Sequence, residues 1–144
     1  MDHVTEHCSS DRLGGIDRVI LVHGFGAGPH DHWFPWLARS IRHVEVPRLP
    51  HPESPDASTW ASTIAERIGT SPDGLAELAI VTHSLGGLTA LRAIERVIAC
   101  DSPANGDGRH LAAFIAVAPF AQQLPPTGEA ELDHFLVTGL NGFL

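Results

Sequence analysis

The apolar run Leu78-Ala79-Ile80-Val81-Thr82-His83 breaks on Ser84 and passes through Leu85-Gly86-Gly87 into a stretch with helical spacing. A serine at the carboxyl end of a strand, with a helix starting directly behind it, sits on a sharp, strained turn. Its hydroxyl is exposed there, and the helix N-terminus directs partial positive charge toward it. The chemistry this suits is nucleophilic attack on an acyl carbon. Gly86 and Gly87 tolerate the close backbone approach such a nucleophile elbow demands, whereas Thr82 stands where a glycine is usual. A second segment of interest, His23-Gly24-Phe25-Gly26, follows another short apolar run.

Four runs rich in branched residues, Val19–Val22, Val44–Val46, Leu78–Thr82 and Leu111–Ala118, read as strands. Between them, Trp33–Arg42 and Thr59–Ile68 carry apolar residues at helical spacing: Trp33, Trp36, Leu37 and Ile41, then Trp60, Ile64 and Ile68. After the serine, Leu88, Leu91, Ala93, Ile94, Val97 and Ile98 do the same. The alternation predicts an α/β fold with a parallel sheet of about four strands, joined by right-handed crossovers and flanked by helices. Loops take the Pro and Gly residues, in Pro47–Pro55, Ser71–Gly74, Ser102–Gly108 and Pro125–Gly128. Ligands of such sheets bind beyond the carboxyl ends of the strands, the side that holds His23–Gly26, Ser84 and the residues from Pro119 onward. Asp101, Asp107 and His110 precede a strand and fall at the other end.

With 144 residues, 43% of them hydrophobic, the chain has material for one core and one domain. Residues 1–17 read as a polar, fraying leader and residues 18–144 as that single domain. A formal charge of −8 with only nine Lys and Arg argues against nucleic acid or an anionic membrane as partner. No apolar run approaches the roughly 20 residues of a bilayer crossing, and no export signal is visible, so a cytoplasmic protein is expected. Cys8 and Cys100 lack metal spacing and read as reduced, isolated thiols.

Residues 20–37, Ile-Leu-Val-His-Gly-Phe-Gly-Ala-Gly-Pro-His-Asp-His-Trp-Phe-Pro-Trp-Leu, and 81–87, Val-Thr-His-Ser-Leu-Gly-Gly, together resemble small serine hydrolases of the alpha/beta-hydrolase fold. The likeness is to the branch containing retinoblastoma-binding protein 9 and YdeN-like proteins, and it extends from about Arg18 to about Phe135. The His-Trp-Phe-Pro-Trp run is the specific part. The resemblance implies Ser84 as nucleophile acting on ester, thioester or amide bonds of a small molecule. It also implies an oxyanion hole formed by the backbone N–H groups of Leu85 and Phe25, with His23 and Gly24 as the scaffold of that loop and no cofactor.

Such enzymes place the nucleophile, then an acid, then a histidine in chain order, the last two on loops after further strands. After Ser84 this chain has only His110 and His134. An eight-residue strand spans roughly 26 Å, which puts His110 at the wrong end of the sheet. His134, in Glu131-Leu132-Asp133-His134-Phe135, is the remaining candidate base, on a segment that matches a helical or lid element of the family. Adjacent Asp133 is poorly placed to orient it, because helix neighbours point to different sides. The expectation is therefore an incomplete alpha/beta-hydrolase fold, truncated after the fourth strand, with impaired catalysis. The alternative is a non-catalytic binding module or degenerate hydrolase that engages a protein partner. The edge strand Leu111–Ala118 would then pair with a partner or complete its sheet in a homo-oligomer.

Other readings of the same residues are weaker. His30, Asp31, His32 and His51 lie on Pro-rich loops without metal-ligand spacing, so no metal site is expected. Gly24, Gly26 and Gly28, with Glu45 downstream, imitate a dinucleotide loop, but Pro29 occupies the place of the last glycine. Trp33, Trp36 and Trp60 are expected to anchor helices to the sheet, and Phe25 and Phe120 to wall an apolar substrate site.

Overall fold

The computed structural model describes residues 14–69, 75–99, 110–119 and 125–137. Cys8, Cys100, Asp101, Asp107, Phe120 and the loops 71–74 and 102–108 lie outside them. Of the polar leader, residues 14–17 are described; Ile16 packs against the core, and the Asp17 N–H donates to the Glu77 carbonyl at 2.8 Å.

Strands β1 (Arg18–Val22), β2 (Val44–Glu45), β3 (Leu78–His83) and β4 (Ala113–Val117) form one parallel sheet in the order β2-β1-β3-β4. Helix α1 (Phe34–Ser40) connects β1 to β2, α2 (Ala57–Ile68) connects β2 to β3, α3 (Gly86–Ala99) follows β3, and α4 (Ala130–Val137) comes last. Period-two alternation splits the strands between two faces. Ile20, Val22, Leu78 and Ile80 face a core built with Trp60, Ile64 and Ile68 of α2, Ala90, Ala93 and Val97 of α3, and Phe135 of α4. Val19, Leu21, Ala79 and Val81 face the other side, where Phe34 of α1 closes a smaller cluster.

Helix α2 begins at Asp56, whose carboxylate accepts the Thr59 N–H at 2.7 Å. Such a cap contributes about 1 kcal/mol, and the interaction holds the carboxyl below its ordinary range. Arg96 of α3 staples the two helices by donating to the Ser58 carbonyl at 2.8 Å and to the Ser62 hydroxyl.

Three expectations need correction. Trp36 is 62% exposed and anchors nothing; with Pro35 in the first turn, α1 buries Phe34 and partly Leu37 and Ile41, a spacing that turns Trp36 outward. In α3 the buried stripe is Gly86, Thr89, Ala90, Ala93 and Val97, so Ile98 is exposed. The fourth strand is shorter than Leu111–Ala118, because Ala112 is already turned into hydrogen bonds with the Leu75 and Leu78 carbonyls. Among the described residues β4 is one edge of the sheet, and its Phe114 and Ile115 are exposed although they point to opposite faces.

Candidate functional site

The chain leaves β1 toward β2 on one side, and returns through α2 to β3 on the other. The strand order therefore reverses between β1 and β3, and the crevice at their carboxyl ends is where open α/β sheets bind ligands. Ser84 ends β3 there and the His23–Gly26 loop ends β1.

Ser84 has φ +54°, a left-handed conformation that costs a non-glycine residue on the order of 1–3 kcal/mol and persists only where the surroundings enforce it. They do so by several contacts. The Ser84 N–H donates to the Val117 carbonyl of β4 at 3.0 Å, and its carbonyl accepts the Gly87 N–H at 3.0 Å. A Cβ on Gly86 would stand 2.2 Å from the Val22 carbonyl oxygen, so the start of α3 lies directly on the end of β1. A Cβ on Gly24 would meet the His83 carbonyl oxygen and Ser84 Cβ at 2.9 Å each, and the Leu85 nitrogen at 3.3 Å. Ser84, Leu85 and the Gly24–Phe25 peptide thus meet without an intervening side chain. Thr82 is buried opposite Gly87, where even a Cβ would meet its Oγ1 only at an ordinary contact distance of 3.5 Å.

His23 is fully buried and has both ring nitrogens engaged. Its Nε2 accepts the Leu49 N–H at 3.1 Å, which assigns the proton to Nδ1, and Nδ1–H donates to the Gly24 carbonyl at 3.1 Å. Burial keeps the ring neutral by lowering its pKa. The Gly24 carbonyl and the Phe25 N–H belong to one planar peptide, so fixing the oxygen fixes the direction of the N–H. The Ala27 N–H donates to the same carbonyl at 3.3 Å, closing the turn. Phe25 itself is 39% exposed at the rim.

His83 escaped the sequence reading, although strand alternation carried the signal. It shares the parity of Ala79 and Val81, so its ring lies on the α1 face, with ring centroids 4.9 Å from His32, 6.4 Å from Trp33 and 5.8 Å from Phe34. Burial, and secondarily the neighbouring His32, lowers its pKa; its buried Nδ1 has no hydrogen-bond partner. Of the loop residues weighed as ligands, Asp31 accepts the Gly28 N–H at 2.7 Å, while His30 and His51 are exposed. Among the described residues no three His, Cys, Asp or Glu side chains converge on a common point.

His110 precedes β4, whereas Ser84 is bonded to its far end at Val117. The five residues of β4 lie between these points and span roughly 16 Å. His134 is exposed on α4. Asp133 accepts the Thr127 N–H and hydroxyl at 2.7 Å each, which holds its carboxyl below the ordinary range and commits it to the turn before α4.

The geometry has counterparts among known proteins. Residues 19–139 match the model of a family described as serine hydrolase. YdeN of Bacillus subtilis (strain 168), which carries the name of a hydrolase, is 28% identical over 112 residues, 75% of this chain and 53% of that protein. The crystal structure of the ydeN gene product superimposes with a TM-score of 0.61, covering 83% of this chain and 60% of the other, again at 28% identity. The chain thus spans little more than half the length of that relative. With its parallel sheet, flanking helices and a match along most of its length, the chain belongs to the small serine hydrolases of the alpha/beta-hydrolase fold, the family of YdeN.

Proposed function

We propose that the chain performs acyl transfer through Ser84 on ester, thioester or amide bonds of small molecules. The Ser84 Oγ attacks the carbonyl carbon, and the resulting oxyanion accepts the N–H groups of Leu85 and Phe25. The alcohol, thiol or amine then leaves, and water releases the acid from acyl-Ser84. The observation that carries this reading is the enforced left-handed Ser84 at the switch point, with the Gly24–Phe25 peptide in backbone contact beside it. Preorganised backbone donors are worth about 10²–10³ in rate apiece. In this reading His23 is scaffold, because a buried neutral ring with both nitrogens bonded has no capacity to accept the serine proton.

His110 stands at the other end of the sheet, and His134 is exposed on α4. An unassisted serine hydroxyl is a poor nucleophile at neutral pH, and neither of these two histidines is placed to assist Ser84. A fluorophosphonate probe tests the assignment: labelling of the parent chain that disappears in Ser84→Ala and persists in His134→Ala supports it. Absence of labelling in folded parent, beside labelled YdeN, refutes it.

A second reading, engagement of a protein along the open edge, is favoured by β4, which pairs with β3 on one side, has no strand on its other side among the described residues, and exposes Phe114 and Ile115. The occupant in this reading is a second copy of the chain. Light scattering on the eluting protein decides: a discrete dimer dissociated by Ile115→Lys supports it, and a stable monomer refutes it. Among the described residues, no helix is long and apolar enough to cross a membrane.

A further inference from the structure

The loop between β2 and α2 touches the oxyanion segment at two points. Its Leu49 N–H donates to His23 Nε2 at 3.1 Å, and its Pro52 carbonyl accepts the Gly26 N–H at 2.9 Å. These contacts grip both ends of the His23–Gly26 loop, with the Gly24–Phe25 peptide between them. Between Leu49 and Pro52 lies Pro50, whose carbonyl accepts the Trp60 indole N–H at 2.7 Å. The same indole is fully buried and meets the His23 ring edge-on, with centroids 5.8 Å apart. From behind it is backed by Phe135, at 5.4 Å between centroids.

We propose that Trp60 is a positioning residue for the oxyanion donor of Phe25, acting through the Leu49–Pro52 segment and His23. The inference rests on the acyl-transfer reading for its catalytic consequence, but its structural content is independent of it. Trp60 on α2 is separated from the Phe25 loop in sequence by α1 and β2, yet one side chain fixes both routes to the peptide that holds the Phe25 N–H. One route runs through the Pro50 carbonyl into both loop contacts, and the other through direct contact with the His23 ring. Releasing the Pro50 carbonyl lets the segment shift, and misplacement of a catalytic group by about 1 Å costs up to 10²-fold in rate. Donors that meet only the developing oxyanion alter the chemical step and leave ground-state binding alone.

The test is Trp60→Phe in the whole chain, which keeps an aromatic ring and removes the N–H. Amide hydrogen exchange at Gly26 is expected to accelerate about tenfold, while exchange at Ala93 in α3 stays near parent. The kcat for a nitrophenyl ester, counted per fluorophosphonate-titrated serine, is expected to fall about tenfold with KM within twofold. Unchanged Gly26 exchange in folded Trp60→Phe overturns the inference, as does a rise in KM with kcat intact. If the parent chain does not label at all, the acyl-transfer reading fails, and Gly26 exchange still decides whether Trp60 holds the loop. Should Trp60→Phe not fold, native-state exchange of the parent decides: a Trp60 indole N–H and a Gly26 amide whose protection falls together as denaturant is added support the brace. Gly26 exchanging well ahead of a still protected Trp60 indole overturns it.

Discussion

Replacing Gly24 by alanine places a methyl group 2.9 Å from the His83 carbonyl oxygen, 2.9 Å from Ser84 Cβ and 3.3 Å from the Leu85 nitrogen. Ordinary contact begins near 3.4 Å, so the two loops must part by about 0.5 Å. Two of the three obstructing atoms are backbone and the third is a Cβ, so no side-chain rotation relieves them. Overpacking of this kind costs about 1–3 kcal/mol. At about 3 °C per kcal/mol for a domain of this size, the melting temperature is expected to fall by roughly 3–9 °C. The functional effect should be larger, because the displaced peptide carries the Phe25 N–H. A lost oxyanion donor is worth about 10²–10³, and partial displacement is expected to lower kcat about ten- to a hundredfold with KM nearly unchanged. The assay is nitrophenyl-ester hydrolysis per titrated serine, beside thermal unfolding by circular dichroism. Gly28→Ala is the control, since its Cβ would meet only an Asp31 carboxylate oxygen at 3.7 Å. A folded Gly24→Ala protein with parent kcat would refute the placement of the donor.

Three other perturbations probe the frame. Gly86→Ala directs a methyl group 2.2 Å from the Val22 carbonyl oxygen, so it is expected to lower the melting temperature more than Gly24→Ala does; an equal or smaller loss would contradict the packing of α3 on β1. Phe135→Ala removes a buried ring from Trp60 and from beneath Arg92, at a cost of about 3–5 kcal/mol read by urea unfolding. The pH dependence follows from His23 and His83, whose folded pKa values lie below the ordinary 6.5. As pH falls through that value the unfolded chain binds protons that the folded one refuses, so stability drops below about pH 6.5. The denaturation midpoint is expected to fall between pH 7 and pH 5, ahead of carboxylate titration, and less steeply in His83→Gln; a flat profile across that window would contradict the burial of the two rings.

Much of this fold is legible in the residues because neighbouring signals agree. Apolar residues run unbroken through Val19–Val22 and Leu78–Val81, Trp60, Ile64 and Ile68 recur at helical spacing, and an apolar run stops at a serine followed within three residues by two glycines. The side of the sheet holding Ser84 and the opposite placement of His110 follow from strand direction alone. Tertiary detail is less readable. The choice of Phe34 over Trp36 depends on where Pro35 lets α1 begin, and both residues are large and apolar. Gly24 resembles any loop glycine until the backbone of Ser84 is seen against it. The bracing by Leu49, Pro50 and Pro52 uses main-chain groups, which every residue possesses and which leave no trace in side-chain pattern.

The direct measurement of acyl transfer is mass spectrometry of the intact chain, followed by peptide mapping, after incubation with an activated nitrophenyl ester. An acyl group on the peptide containing Ser84, formed with matching release of nitrophenol and absent in Ser84→Ala, is the expected result. Nitrophenol release without an adduct on Ser84, or an adduct carried by another residue, would contradict it.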